Sequence, residues 1–176
     1  HSQVTVNNNN LFTAKKFSKV IALYNSNNFL FKDVIGTSEE VIQFEVIPLA
    51  AASSGELTTL LYKCESKQLD GLVLGFYGNY WNDSGVVYQG FAFKNLEKKK
   101  AIEFLNKIEN AIETNNKFLK DNNDYNNISF RYEDIDVLIW TTMGSYTIRL
   151  FWNKFDSTWE KTSYERSKRR FERKIK

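Results

Sequence analysis

The chain of 176 residues carries 24 lysines and arginines against 21 aspartates and glutamates, a net charge of +3. A balance this small does not by itself indicate a polyanionic partner, and no apolar run is long enough to predict a membrane span. Hydrophobic residues make up 42% of the sequence and aromatic residues 15%, which is enough for the core of one folded domain.

Two scarce residue types limit the chemistry further. The only histidine is His1 and the only cysteine is Cys64. We therefore predict no histidine-dependent triad, no His/Cys zinc site and no intrachain disulfide. Cys64 follows Leu60 and Tyr62 at strand spacing, which favours a small buried residue over a reactive thiol.

Residues 1–10, HSQVTVNNNN, are polar and rich in asparagine, and they predict a flexible lead before a single α+β domain over residues 11–176. The first three residues resemble the end of some bacterial secretory signal peptides, so a secreted or periplasmic protein is favoured over a cytoplasmic one. A tag remnant would also explain these three letters. Residues 11–28 carry apolar side chains at helical spacing and predict the first helix, although their β-branched and aromatic residues also permit a strand.

Four strands are predicted next, with short turns between them. Residues 39–50, EEVIQFEVIPLA, alternate in the period of a half-buried strand. The strands that follow are predicted at residues 57–65, 71–81 and 86–94. Loops as short as these favour an antiparallel meander, in which each strand pairs with the next one along the chain.

Residues 95–120 predict the most regular helix of the chain, because their apolar side chains form one continuous stripe and lysines and glutamates fill the opposite side. We expect this helix, over about residues 96–119, to cover one face of the sheet. Leu105, Ile108 and Ile112 are the side chains that we expect to be buried beneath it.

Three more strands, at residues 128–132, 137–142 and 145–152, precede a C-terminal helix. We predict that this helix covers residues 157–176, because Ser157 and Glu160 stand at the spacing of a capping box. The predicted fold is therefore α+β: a mainly antiparallel sheet of about seven strands packed with two to three helices, in the order α-ββββ-α-βββ-α.

The chain also indicates a repeat of architecture. Residues 85–99 and residues 144–158 each lead from a predicted strand into a predicted helix, although their identity is negligible. The order of four strands and a helix, then strands and a helix, resembles that of the Whirly and PUR nucleic-acid-binding folds. The resemblance implies a nucleic-acid ligand only as one hypothesis, because no motif is shared and a fold does not fix a function.

The predicted hairpin over residues 71–93, GLVLGFYGNYWNDSGVVYQGFAF, has two interpretations. Its aromatic residues are ordinary strand formers, so packing in a core is favoured. Alternatively, glycines at positions 75, 78 and 90 form the floor of a groove, and flat rings along its edge stack on a sugar or a base. The candidate ligand-binding residues are then Tyr77, Tyr80, Trp81 and Tyr88.

The C-terminal segment from Glu160 onward is strongly basic although the whole chain is nearly neutral. The candidate polyanion-binding residues are Arg166, Lys168, Arg169, Arg170, Arg173 and Lys174. The favoured interpretation is instead a solvated helix that docks through an apolar line of side chains, because the basic residues run around the helix without gathering on one face.

No segment carries a recognisable catalytic or metal-binding motif. Glu133, Asp134 and Asp136 are close in sequence, and residues 121–127 are rich in oxygen ligands, but neither has the pattern of a calcium loop. We find no nucleophile elbow, phosphate loop or dinucleotide fingerprint. We therefore predict that the protein is not an enzyme and has no cofactor and no metal.

Two functional hypotheses follow, and they belong to different classes. The first is a non-catalytic, exported binding or interaction module whose partner is an unknown protein or small ligand. The second is a nucleic-acid-binding protein that uses an aromatic curved sheet and the basic C-terminal helix. The first is favoured, and neither the ligand nor the oligomeric state follows from the sequence.

Overall fold

The computed structural model describes residues 2–7, 19–81, 83–85, 87–121 and 125–176, and for residues 2–7, 19–22, 79–81 and 87–89 the description covers the backbone alone. These residues form nine strands in two antiparallel sheets, together with helices on both sides of the larger sheet. The predicted α+β class and the mainly antiparallel pairing are confirmed. Within this part of the chain no helix is both long and apolar enough to cross a bilayer.

The first sheet has five strands in the order β1-β5-β4-β3-β2. Its strands and the helix that enters it are β1 (Ser2–Asn7), α1 (Lys19–Phe29), β2 (Glu45–Ala51), β3 (Leu57–Cys64), β4 (Leu69–Trp81) and β5 (Val87–Glu97). A π-helical segment, Leu30–Val34, continues α1. Both faces of β3 are buried, because the sheet is covered on each side, and its sequence LTTLLYKC is accordingly apolar or small almost throughout.

The second sheet has four strands in chain order, followed by the C-terminal helix. Its elements are α2 (Lys98–Thr114), α3 (Asn116–Lys120), β6 (Asn127–Tyr132), β7 (Ile135–Thr142), β8 (Ser145–Trp152), β9 (Phe155–Glu160) and α4 (Lys161–Lys174). Two-residue connections join the strands, and both residues of the last one, Asn153 and Lys154, have positive φ of 48° and 67°. A turn of that shape matches the twist of a hairpin.

Strand β9 corrects the prediction of three strands and a helix from residue 157. Phe155, Ser157 and Trp159 are buried and alternate with more exposed residues, so the segment is a strand that faces the core on one side. Ser157 is therefore not a helix cap. The helix begins at Lys161, and Glu160 precedes it without a side-chain capping bond.

The repeat of architecture is present in a different register from the predicted one. β2 to β5 followed by α2, and β6 to β9 followed by α4, are two successive units of four antiparallel strands and a helix. The equivalent of β5 and α2 is therefore β9 and α4. Residues 144–158 instead contain β8 and the start of β9, because the turn after Trp152 continues the sheet.

The N-terminal segment differs from the predicted flexible lead. Ser2–Asn7 forms an edge strand that pairs antiparallel with β5, from Ser2 opposite Lys94 to Asn7 opposite Gln89. The residues VTV in this segment favour a β-strand, and β5 offers an open edge with which they can pair. Residues 8–10 of the lead, and residues 11–18 of the first predicted helix, lie outside the described residues; α1 then follows from Lys19.

Two hydrophobic cores lie on opposite faces of the five-stranded sheet. The larger one joins that sheet to the four-stranded sheet, α2 and α4, and the smaller one lies beneath α1 and the π-helical segment. Leu105 and Ile108 are buried in the larger core, as predicted, and Ile112 is partly buried against it. Burial of Cys64 in the smaller core agrees with its predicted structural role.

Candidate binding surfaces

At Tyr77 and Gly75, the aromatic hairpin of β4 and β5 is tightly packed where the sequence allowed a groove. Tyr77 is only 1% exposed, so this side chain belongs to the core and does not edge an open surface. A Cβ atom at Gly78 would have nothing within 4 Å, but at Gly75 it would lie 2.5 Å from Thr58 Oγ1 and 3.2 Å from the Phe93 ring, so the supposed floor is filled at Gly75. The glycine thus permits close packing between neighbouring strands.

For the other three predicted residues of this hairpin, ligand binding stays a prediction. Tyr80 and Tyr88 are opposite each other in the ladder of β4 and β5, and Trp81 is opposite Val87. The side chains of Tyr80, Trp81 and Tyr88 lie outside the described part of the structure. The backbone register therefore places these three residues near the end of the hairpin.

The buried tyrosines predict a loss of stability at alkaline pH. Burial raises the pKa of Tyr77 and of Tyr132 to about 12, and it raises the pKa of Tyr62, Tyr146 and Tyr164 as well. In the unfolded chain a tyrosine ionises near its ordinary pKa of about 10. The stabilisation is therefore complete below about pH 10 and is lost as the pH rises from about 10 to about 12.

Over this pH range we expect tyrosinate absorbance to increase while the circular dichroism of the folded protein decreases. The two changes should coincide, because the buried phenols ionise when the chain unfolds. Measuring both signals on one sample tests this. Ionisation of all nine tyrosines near pH 10, with the circular dichroism of the folded protein retained, would contradict the burial of these side chains.

The uncovered side of the four-stranded sheet is a second candidate surface, and we call it the outer face. Side chains of β6 to β9 alternate between the core and solvent, so every second residue lies on this face. Its first row across the strands is Arg131, Asp136, Phe151 and Asp156. The next rows are Ser129, Leu138, Arg149 and Thr158, and Asn127, Trp140, Thr147 and Glu160.

The charges of the outer face are nearly balanced by cross-strand pairs. The Arg131 guanidinium lies 3.8 Å from a carboxylate oxygen of Asp136. Arg149 pairs through Nε with Asp156, and it donates a hydrogen bond of 2.7 Å to Thr158 Oγ1. A balanced surface of this kind does not attract a polyanion, so the outer face does not favour a nucleic-acid ligand.

A shallow open groove of about 560 Å³ lies at one end of the outer face, beside the β6–β7 and β8–β9 turns. Its lining includes the ring of Phe151, which is 36% exposed, and the side chains of Arg131, Asp136, Asn153 and Asp156. We call it the Phe151 groove. It brings one accessible aromatic ring together with several planar polar groups.

The acidic cluster that the sequence singled out forms ion pairs at the edge of this groove. Glu133 lies 3.0 Å from Lys100, and Asp134 lies 3.0 Å from Lys94. Trp152 Nε1 donates a hydrogen bond of 3.0 Å to Asp134. Burial opposes ionisation of Asp134, but the hydrogen bonds from Lys94 and Trp152 lower its pKa below the usual value. Among the described residues no three His, Cys, Asp or Glu side chains are grouped as metal ligands would be.

Helix α4 divides the six predicted polyanion-binding residues into two groups. Lys168 pairs with Glu109 at 3.0 Å and also with Glu172, and Arg170 donates a hydrogen bond of 2.5 Å to the Leu49 carbonyl. Lys174 is half-buried. The exposed members are Arg166, Arg169 and Arg173.

The docking of α4 agrees with the favoured interpretation of this helix. Phe171 is fully buried, and the Tyr164 hydroxyl donates a hydrogen bond of 2.6 Å to the Leu105 carbonyl on α2. Ser167 Oγ lies 2.7 Å from Thr59 Oγ1, so a buried polar pair joins α4 to β3. The helix is therefore part of the core, and only its outer side remains available to a partner.

Sequence reasoning missed Trp140, Arg149 and Phe151 as surface residues. The alternation in VLIWTT and SYTIRLFW contains the signal, because every second side chain must share a face. What the alternation alone does not reveal is which of the two faces is uncovered.

A comparison with protein-family models found no match, and neither did comparisons with curated proteins and with solved structures.

Proposed function

We propose that the protein is a non-catalytic binding module that holds a small, neutral, hydroxyl-rich ligand, of which a carbohydrate is the representative class, in the Phe151 groove. The observation that carries the proposal is an accessible ring beside polar groups whose charges are already paired. A flat apolar ring can stack on the face of a sugar, and nearby planar groups can bond its hydroxyls.

The charge pattern supports a neutral ligand. Asp134 pairs with Lys94, Asp136 with Arg131, and Asp156 with Arg149. Each carboxylate keeps oxygen lone pairs that can accept a hydrogen bond, while its charge is offset by the neighbouring cation. A strongly charged ligand would have to compete with these pairs, whereas hydroxyl groups would only complete them.

The electrostatics of Asp134 do not suit this carboxyl group to general-acid catalysis. A carboxyl group that acts as a general acid needs a raised pKa, because it must hold its proton near neutral pH. The hydrogen bonds from Lys94 and Trp152 lower the pKa of Asp134 instead. The exported location stays a separate prediction, which fractionation of the source cells tests.

Binding of the purified protein to an array of neutral and acidic oligosaccharides tests the proposal, followed by calorimetry with the strongest neutral ligand. We expect Phe151→Ala to lower the affinity by about tenfold or more, because the stacking surface is lost. The matched control is Phe118→Ala, an exposed phenylalanine of α3 outside the groove, which should leave the affinity unchanged. Absence of any neutral ligand on the array, or full binding by Phe151→Ala, would refute the proposal.

A further inference from the structure

The exposed side of α4 carries three arginines in one line, which we call the arginine ridge: Arg166, Arg169 and Arg173. An α-helix turns by about 100° per residue, so the three side chains lie within an arc of about 60°. The buried residues of the helix, among them Tyr164 and Phe171, lie on the opposite side. The six basic residues together are spread around the helix, as expected, but the three exposed ones share one side.

The ridge arginines differ from Lys168 and Arg170 in having no partner. Within the described part of the chain, none of the three forms an ion pair or a side-chain hydrogen bond. Lys168 and Arg170, by contrast, are held by Glu109, Glu172 and the Leu49 carbonyl. The fold therefore uses Lys168 and Arg170 internally, and it leaves three guanidinium groups on one side of a well-anchored helix.

We propose that the arginine ridge binds the phosphate backbone of double-stranded nucleic acid without sequence preference. Guanidinium groups form paired hydrogen bonds with phosphate oxygens. Arg166 and Arg173 are seven residues apart, or about 10.5 Å along the helix, and a duplex presents one phosphate charge per about 1.7 Å of its axis. Contacts of this type are independent of base sequence, because the bases are not touched.

The surroundings of the ridge favour a nucleic acid over a membrane or an acidic protein. The other exposed residues of α4 are Lys161, Thr162, Glu165 and Glu172, none of which is apolar. A membrane-surface helix needs apolar side chains that enter the lipid, and a protein interface needs an apolar centre. No aromatic residue of α4 lies on the exposed side, so stacking on the bases of a single strand is not favoured. A duplex is favoured instead, because its phosphate charge is denser.

This second surface lies on a different element from the Phe151 groove and is independent of the proposed function. Fluorescence anisotropy with a labelled DNA duplex of mixed sequence, at a series of salt concentrations, tests it. Three phosphate contacts predict a slope of about −2.7 for log affinity against log salt, so a fourfold rise in salt should lower the affinity by about 40-fold. The triple variant Arg166→Gln/Arg169→Gln/Arg173→Gln should bind weakly and with a slope near zero.

The matched control, Lys98→Gln/Lys99→Gln/Lys117→Gln, removes three positive charges at exposed positions of α2 and α3 and should retain the parent slope. Thermal melts show whether both variants are folded. Equal weakening by the two triple variants, no binding to the duplex at low salt, or tighter binding to a single-stranded oligonucleotide would each overturn the proposal. So would binding of the parent to anionic phosphatidylserine vesicles or to a polyglutamate peptide in place of the duplex.

Discussion

Replacing Ile108 with aspartate is expected to destabilise the protein by about 4 kcal/mol or more, which can unfold a domain of ordinary stability. Ile108 is fully buried in the core between the two sheets and α2. The buried aspartate would either remain charged without a partner or become protonated, and in both cases it would lose its solvation by water. Urea denaturation followed by circular dichroism measures the loss.

Two further variants keep this prediction testable if Ile108→Asp does not fold. Ile108→Ala leaves a cavity and should cost about 2–5 kcal/mol. Asn106→Asp places the same carboxylate at an exposed position of α2 and should change stability by about 0.5 kcal/mol or less. A melting temperature for Ile108→Asp within a degree or two of the parent would show that the assignment of this core is wrong.

Trp159→Ala is the second large effect, with an expected cost of about 3–5 kcal/mol. The Trp159 side chain is 0% exposed; its ring centroid lies 6.4 Å from that of Phe104 on α2 and 5.1 Å from that of Tyr164 on α4. One side chain of β9 therefore contacts both helices that follow the two sheets. Its removal leaves a cavity at their junction, which neighbouring elements cannot fill without moving.

The matched control for this variant lies on the other face of the same sheet. Trp140 is half-buried on the outer face, so Trp140→Ala removes fewer core contacts and should cost less than half as much as Trp159→Ala. Denaturant unfolding of both variants gives the comparison. Equal losses of stability would mean that the outer face is covered in solution, and would also argue against the Phe151 groove.

Periodicity that is local to one element was readable from the sequence. The apolar stripe through Leu105 and Ile108 predicted both the helix and its buried side, because a helix places residues three and four apart on one face whatever surrounds it. The four strands before α2 were predicted from apolar runs bounded by turn residues. The alternation predicted from residue 39 did not set the bounds of the first one, since β2 begins at Glu45. The class of fold followed from these elements and from the short loops between them.

Strand β9 shows where local reasoning failed. Ser157 and Glu160 fit the spacing of a helix cap, and the Asn153–Lys154 turn lacks the glycine that usually marks a hairpin. Pairing with β8 and burial of Trp159 decided the conformation instead. β1 was missed similarly, because a polar terminal segment becomes a strand only where another strand offers its edge.

The sequence by itself determined the class of the fold and the core side of α2, because composition and local period are properties of single segments. Only the tertiary structure decided which aromatic rings and which cations remain accessible. Tyr77 lies in the core while Phe151 lines a groove, and Lys168 is paired while Arg169 is exposed. The physical reason is that accessibility depends on what packs against each face, and those neighbours come from distant parts of the chain.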